Sequence, residues 1–170
     1  KAGAPVSLSG SLDGDVHSKP FGDNADYQFS PDGQKVVFSA RVAGKAESWS
    51  TNFDLYEVPA AGGAAPRNLT AENPAWDAKP SFSPDGKTLA YLMMKRPGFE
   101  ADRFHMVLMD VATGKKRVLA QDWDRSIADY KWRADGKALL ANADDIGNHR
   151  LFSLDVASGK VTALTGKGYA

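Results

Sequence analysis

Phe29-Ser30-Pro31-Asp32-Gly33 recurs as Phe82-Ser83-Pro84-Asp85-Gly86, and in altered form as Trp132-Arg133-Ala134-Asp135-Gly136. Phe82 follows Phe29 by 53 residues, and Trp132 follows Phe82 by 50. Recurrence at such a period marks a repeat architecture. The local chemistry of each copy is legible. Proline has the φ that suits the second position of a type I turn, Asp is at ease in the third, and Gly takes the positive φ that returns the chain to a strand. Apolar runs flank each copy, so each is read as a β-hairpin.

Working outward, the same order of strands follows every turn. In the first repeat, Tyr27 and Phe29 lead in, residues 35–40 form a second strand, 53–58 a third and 67–70 a fourth. In the second, the lead-in at 79–82 is followed by strands at 88–93, 104–111 and 117–119. In the third, 129–132 leads in, 138–142 and 150–156 follow across a loop at 143–149, and 161–164 closes the unit. The turn Ala112-Thr113-Gly114-Lys115 is matched by Ala157-Ser158-Gly159-Lys160. No long window carries a 3.6-residue apolar period, so almost no helix is expected. Four short antiparallel strands per unit of about 45–50 residues is the pattern of β-propeller blades. The expected fold is all-β, a partial propeller of about three four-stranded antiparallel blades. Residues 1–24 are read as an irregular lead-in with a short strand near Val6–Leu8, 25–72 as blade one, 73–121 as blade two and 122–170 as blade three. Propellers close with about four to eight blades. Three would leave terminal faces and edges uncovered, so the chain is expected to be part of a longer propeller or to assemble with other chains. The first residue is Lys1 rather than Met, so the sequence is expected to be a processed product, an engineered piece or one segment of a longer chain.

Composition narrows the function classes. The 170 residues carry 21 Lys plus Arg and 21 Asp plus Glu, with zero formal net charge. Nucleic acid and anionic membrane surfaces call for a basic field, so neither is expected as a partner. No stretch has the length of a membrane span. With no cysteine, thiolate catalysis and disulfides are out. Gly-x-Ser-x-Gly, phosphate-loop and dinucleotide signatures are absent. His17, His105 and His149 are spread along the chain with no ligand spacing. Asp13-Gly14-Asp15 lacks the further acidic positions of a calcium loop and reads as a turn. No cofactor, metal or catalytic residue is expected in these residues.

In a meander the first-to-second and third-to-fourth turns share one end of the blade. The second-to-third loops and the connectors between blades share the other. Variable loops on a rigid scaffold carry function, so the working end is opposite FSPDG. There the loop Arg96-Pro97-Gly98-Phe99-Glu100-Ala101-Asp102-Arg103 concentrates opposite charges beside an aromatic ring. Glu100 or Asp102 is expected to hold a ligand ammonium, and Arg103 or Arg96 a carbonyl or carboxylate, with Glu100 and Arg103 the first candidates from loop position and charge. The loop with Glu47, Trp49 and Asn52 is of similar character. Trp76, Trp123 and Trp132 are expected to pack between blades.

SLDGDVHSKPFG (11–22), ADYQFSPDGQKVVFSAR, KPSFSPDGKTLAYLMMKRPGFEADRF and NHRLFSLDVASGKVTALT together resemble the N-terminal propeller of the prolyl oligopeptidase family of serine peptidases. Within it they are similar to bacterial dipeptidyl aminopeptidases and acylaminoacyl peptidases. The resemblance implies a parent protein with further blades and a C-terminal α/β-hydrolase domain bearing a Ser-Asp-His triad. It implies a propeller that gates access for short peptides and helps grip the substrate N-terminus, in the periplasm or outside the cell. The second reading is a TolB-like propeller that mediates protein–protein interaction without catalysis.

Overall fold

The structure, a computed structural model, describes residues 3–10, 12–16 and 26–166. His17 lies outside the described residues. Three antiparallel sheets account for the strands. The first combines β1 (Asp15–Val16), β2 (Tyr27–Phe29), β3 (Lys35–Arg41), β4 (Asp54–Pro59) and β5 (Arg67–Asn68). The second runs β6 (Asp77–Phe82), β7 (Thr88–Met93), β8 (His105–Asp110), β9 (Lys116–Leu119) in sequence order. The third runs β10 (Ile127–Trp132), β11 (Ala138–Asp145), β12 (Asn148–Asp155), β13 (Val161–Ala163). Among the described residues, helix is limited to 3-10 turns such as Gly44–Ala46.

The recurrent turns form for the reason their residues predict. Gly33, Gly86 and Gly136 take φ of 70°, 70° and 67°, and each donates its N–H to the residue three back, at 2.8, 2.8 and 2.9 Å. Asp32, Asp85 and Asp135 each accept the backbone N–H two residues on, at 3.0–3.1 Å. In the first two copies the serine hydroxyl donates to the Asp carboxylate, at 2.5 and 2.6 Å. That bond, ahead of the backbone one, holds the carboxyls of Asp32 and Asp85 below the usual range. The other turn type sits at the same end. Ala60 N–H donates to Gln34, Val111 to Lys87 and Val156 to Lys137, at 2.8, 2.9 and 3.0 Å. Each sheet thus has its two turns stitched together.

The chain divides into two compact units. One holds residues 1–80 with 96–100, the other 81–95 with 101–170. In the first, Val36, Phe38, Ala40, Tyr56 and Val58 present one face of the first sheet, and Leu8, Leu12 and Val16 pack over it. This region departs from expectation. Residues 6–8 form no strand. The strand is Asp15–Val16, which pairs with Arg41 and Ala40 along the same edge of β3 that β2 occupies through Phe38, Val37 and Val36. Two residues carry no periodic signal, so only the vacant edge of β3 reveals the pairing. Gly14 lets the chain reach that edge, since a Cβ there would stand 2.1 Å from the Arg41 carbonyl oxygen.

In the second unit, Ala90, Leu92, Met106, Leu108 and Leu119 of the second sheet pack against Ile127, Tyr130, Leu139, Ala141, Ala143, Phe152 and Leu154 of the third. Two polar groups are satisfied across the seam. Tyr130 Oη donates to the Ala90 carbonyl at 2.9 Å, and Trp132 Nε1 to that of Ser81 at 3.0 Å. Burial raises the Tyr130 phenol well above its usual pKa. The expected loop at 143–149 is a correction. β11 continues to Asp145 and β12 starts at Asn148, with paired residues out to Asp145 and Asn148. Ile146 and Gly147, at φ 50° and 74°, make a two-residue turn. A β-branched residue is disfavoured there, which hid the hairpin. Asp145 steadies it by accepting from Arg125 Nε at 2.9 Å and Arg150 Nη1 at 2.5 Å.

Candidate functional site

The end opposite the stitched turns is built from long-range tethers. In the first unit the centre is Arg41, the last residue of β3. Its guanidinium pairs with Asp15 at 3.0 Å and Glu47 at 3.3 Å, donates to the Ser50 carbonyl at 3.2 Å, and lies 5.1 Å from the Phe53 ring centre. Phe53 stacks on Trp76 at 4.9 Å. Asp15 is thereby committed to an ion pair. The loop that Arg41 clamps is itself coiled. Ala46 N–H bonds to Ala43, Glu47 to Gly44, and both Trp49 and Ser50 to Ala46. The Asn52 amide, oriented by its neighbours, donates to the carbonyls of Asn73 and Ala75 at 3.1 Å each. Trp49 projects from this rigid loop, 72% exposed.

Residues 96–100 belong to the same unit. Gly98, at φ 71°, donates its N–H to Thr51 Oγ1 at 2.8 Å, tying this segment to the Trp49 loop. The Arg96 guanidinium stacks 3.9 Å from the centre of the Phe99 ring, a cation–π contact. Phe99 is 42% exposed. Glu100 is exposed and has no hydrogen-bond or ion-pair partner among the described residues.

Asp102 and Arg103 belong to the second unit, and both bond to backbone groups. Asp102 accepts the Lys95 N–H at 2.8 Å, closing the loop at its base. Arg103 Nη1 donates to the Trp123 carbonyl at 2.6 Å, and Nη2 lies 3.5 Å from His105 Nδ1. Phe104 N–H reaches Ser126 Oγ at 3.1 Å, and Ile127 N–H the Phe104 carbonyl at 3.3 Å. Burial first, and the Arg103 charge second, push His105 down to about 4, so it is neutral and accepts at Nδ1. The four predicted residues thus fall in different units, Arg96 and Glu100 in the first and Asp102 and Arg103 in the second.

Elsewhere at this end, His149 Nδ1 contacts Asp144 Oδ1 at 2.8 Å and its Nε2 faces Asn142 Nδ2 at 3.2 Å. Donor and acceptor are both used, so the imidazole is held in place. Trp123 meets Phe152 edge-on at 4.8 Å. In the first unit Asp77 is fully buried at the start of β6. Burial, ahead of all else, raises its carboxyl to about 8. Its Oδ1 accepts from Asn73 at 2.9 Å, and its Oδ2 has no hydrogen-bond partner among the described residues. Sequence reasoning missed both Arg41 and Asp77. Each is one charged residue at a strand end, and no local pattern distinguishes it.

No protein-family model matches the chain. Among curated proteins, dipeptidyl-peptidase 5 of Porphyromonas gingivalis is 32% identical over 148 residues, covering 86% of this chain and 22% of the relative. The chain is a propeller segment homologous to dipeptidyl-peptidase 5. It spans about a fifth of the length of the curated relatives it matches. The propeller segment also superposes on a puromycin-hydrolyzing peptidase of Mycobacterium tuberculosis, with TM-score 0.63 and 25% identity over 83% of this chain and 23% of that one. TolB from Acinetobacter baumannii gives TM-score 0.61 at 22% identity over 79% of this chain and 31% of that one, a likeness of fold. The all-β partial propeller expected from the repeats is the fold of these structures. Among the described residues, no helix is long and apolar enough to cross a membrane.

Proposed function

We propose that this segment belongs to a serine exopeptidase of the dipeptidyl-peptidase kind, in which it gates access and helps bind the peptide N-terminus. The chemistry would be carried by a hydrolase domain elsewhere in the parent protein. The similarity to dipeptidyl-peptidase 5 across most of the chain carries this reading. Glu100 is the residue for the substrate ammonium, because its carboxylate is exposed and uncommitted. Arg96, stacked on Phe99, is the residue for a carbonyl or carboxylate. Asp102 and Arg103 position the loop. The parent would be periplasmic or secreted, and the blades would run 25–72, 73–121 and 122–170.

Further blades are the first partner. On the third sheet Leu140, Leu151 and Leu164 share the face turned away from the core, and they are 38%, 41% and 53% exposed. An apolar row of that kind on a sheet face is covered in a propeller by the next blade. The experiment is fluorophosphonate labelling of the full-length protein, with turnover of dipeptidyl substrates. Labelling and turnover are expected, with Glu100→Ala raising KM for free but not N-acetylated peptides. An unlabelled, folded protein would favour the second reading, a TolB-like interaction module, for which the shared fold is the support.

A further inference from the structure

The first unit exposes two large aromatic rings where a loop would ordinarily be polar. Trp49 is 72% and Phe99 42% exposed. Neither sits on a slack segment. The Trp49 loop is wound by four backbone hydrogen bonds between residues 43 and 50. The Arg41 guanidinium, only 15% exposed, grips the loop at Glu47 and at the Ser50 carbonyl. The Phe99 segment is tied to that loop by the bond from Gly98 to Thr51, one residue from Phe99 and two from Trp49. The Phe99 ring is fixed again by Arg96 stacked on it. A ring held out to solvent on a preorganised loop loses little conformational entropy when a ligand covers it. Trp and Arg are also the residues that dominate contact energies at recognition surfaces.

We propose that Trp49, together with Phe99 on the segment tied to its loop, is the surface that takes an apolar or aromatic side chain near the N-terminus of the peptide. This rests on reading the chain as the propeller of an exopeptidase. Charge complementarity argues for a peptide N-terminus as the occupant. The aromatic rings lie in the same unit as two exposed carboxylates, Glu47 and Glu100, the second uncommitted. An ammonium followed by an apolar side chain satisfies both features together. The loop thus acts on specificity, with no part in bond making.

The test uses the full-length protein and two dipeptidyl substrates that differ only in an N-terminal-side residue, Phe against Ala. Wild type is expected to favour the Phe substrate. Trp49→Ala is expected to erase that preference by on the order of fivefold in kcat/KM, through KM, as for loss of one aromatic contact. Trp49→Phe should retain most of it, and the Ala substrate should be turned over as before. A preference unchanged in Trp49→Ala would overturn the inference. So would an equal loss on both substrates with a lowered Tm, which would place Trp49 against another domain of the parent. A wild type that turns over neither substrate is a different outcome, since it removes the exopeptidase reading on which the inference stands.

Discussion

The two ends of the blades are held by different kinds of bond. At the turn end the recurring turn contacts join residues within five positions of one another, as Ser30 to Asp32 and Lys35, or Ser83 to Asp85 and Thr88, and the longer stitch between the two turns repeats from sheet to sheet. At the loop end the contacts leap: Arg41 to Asp15, Gly98 to Thr51, Arg103 to Trp123. Glycine shows the contrast at single-residue scale. Gly33 is required by its φ of 70°, with nothing within 4 Å of a Cβ. Gly14 is required by a neighbouring strand, 2.1 Å from where its Cβ would be. One end is set by local chemistry and repeats itself. The other is set by contacts that close only in the folded chain, and there each blade is free to differ.

That contrast can be broken by substitution. The largest effect is expected from Arg41→Ala, which removes the ion pair to the nearly buried Asp15 carboxylate and the clamp on the Glu47–Ser50 loop. A loss of about 3 kcal/mol is expected from denaturant titration. Gly14→Ala should follow it closely by expelling β1 from the edge of β3. If both changes cost less than Gly33→Ala, the loop end is not held by these tethers.

Two buried titratable groups sharpen the comparison through pH. Asp77 has its folded pKa raised from 3.8 to about 8. Its contribution to stability is complete below pH 3.8 and is lost as pH rises through about 8. His105 is lowered from 6.5 to about 4. Its contribution is present above 6.5 and lost as pH falls through about 4. The slopes oppose one another between these limits. Asp77→Asn should therefore raise stability at pH 8 by about 1–2 kcal/mol, and His105→Gln should flatten the acid side by a similar amount. Urea midpoints from pH 4 to 8 read both. A loss of stability at pH 8 in Asp77→Asn would show that the charged carboxylate is accommodated.

Smaller effects are expected at the turn end and at the exposed loop. Gly33→Ala should cost about 1 kcal/mol, the strain of a left-handed residue. Glu100→Ala should leave stability within about 0.5 kcal/mol, as for an exposed side chain without partners, while KM for a free-N-terminus peptide rises in the full-length protein. A destabilising Glu100→Ala would assign that residue to the scaffold along with Asp102 and Arg103.

Much of the fold is legible because its signals are local. Pro, Asp and Gly in fixed order dictate a turn, and flanking apolar runs dictate strands, so the three sheets stand where the repeats place them. The hairpin at Ile146–Gly147 is illegible because isoleucine opposes the φ it adopts, and Asp145, Arg125 and Arg150 override that preference from a distance. Asp15–Val16 is illegible because two residues have no period. In the candidate site the sequence singles out four charged residues in one loop and puts Glu100 and Arg103 first, without access to the partners that each side chain finds. Arg103 and Trp123 are 20 residues apart, and nothing in either position announces the bond.

By itself, then, the sequence determined the blade period, the strand order and which end of each blade would vary, since turn chemistry and apolar alternation act over a few residues. Only the tertiary structure decided which charges remain available. It commits Asp102 and Arg103 to backbone groups, clamps the Trp49 loop with Arg41, covers the first sheet with Leu8, Leu12 and Val16, and leaves Glu100 in solvent. The physical reason is that a side chain's partners are fixed by proximity in space, which the order of residues along the chain does not encode.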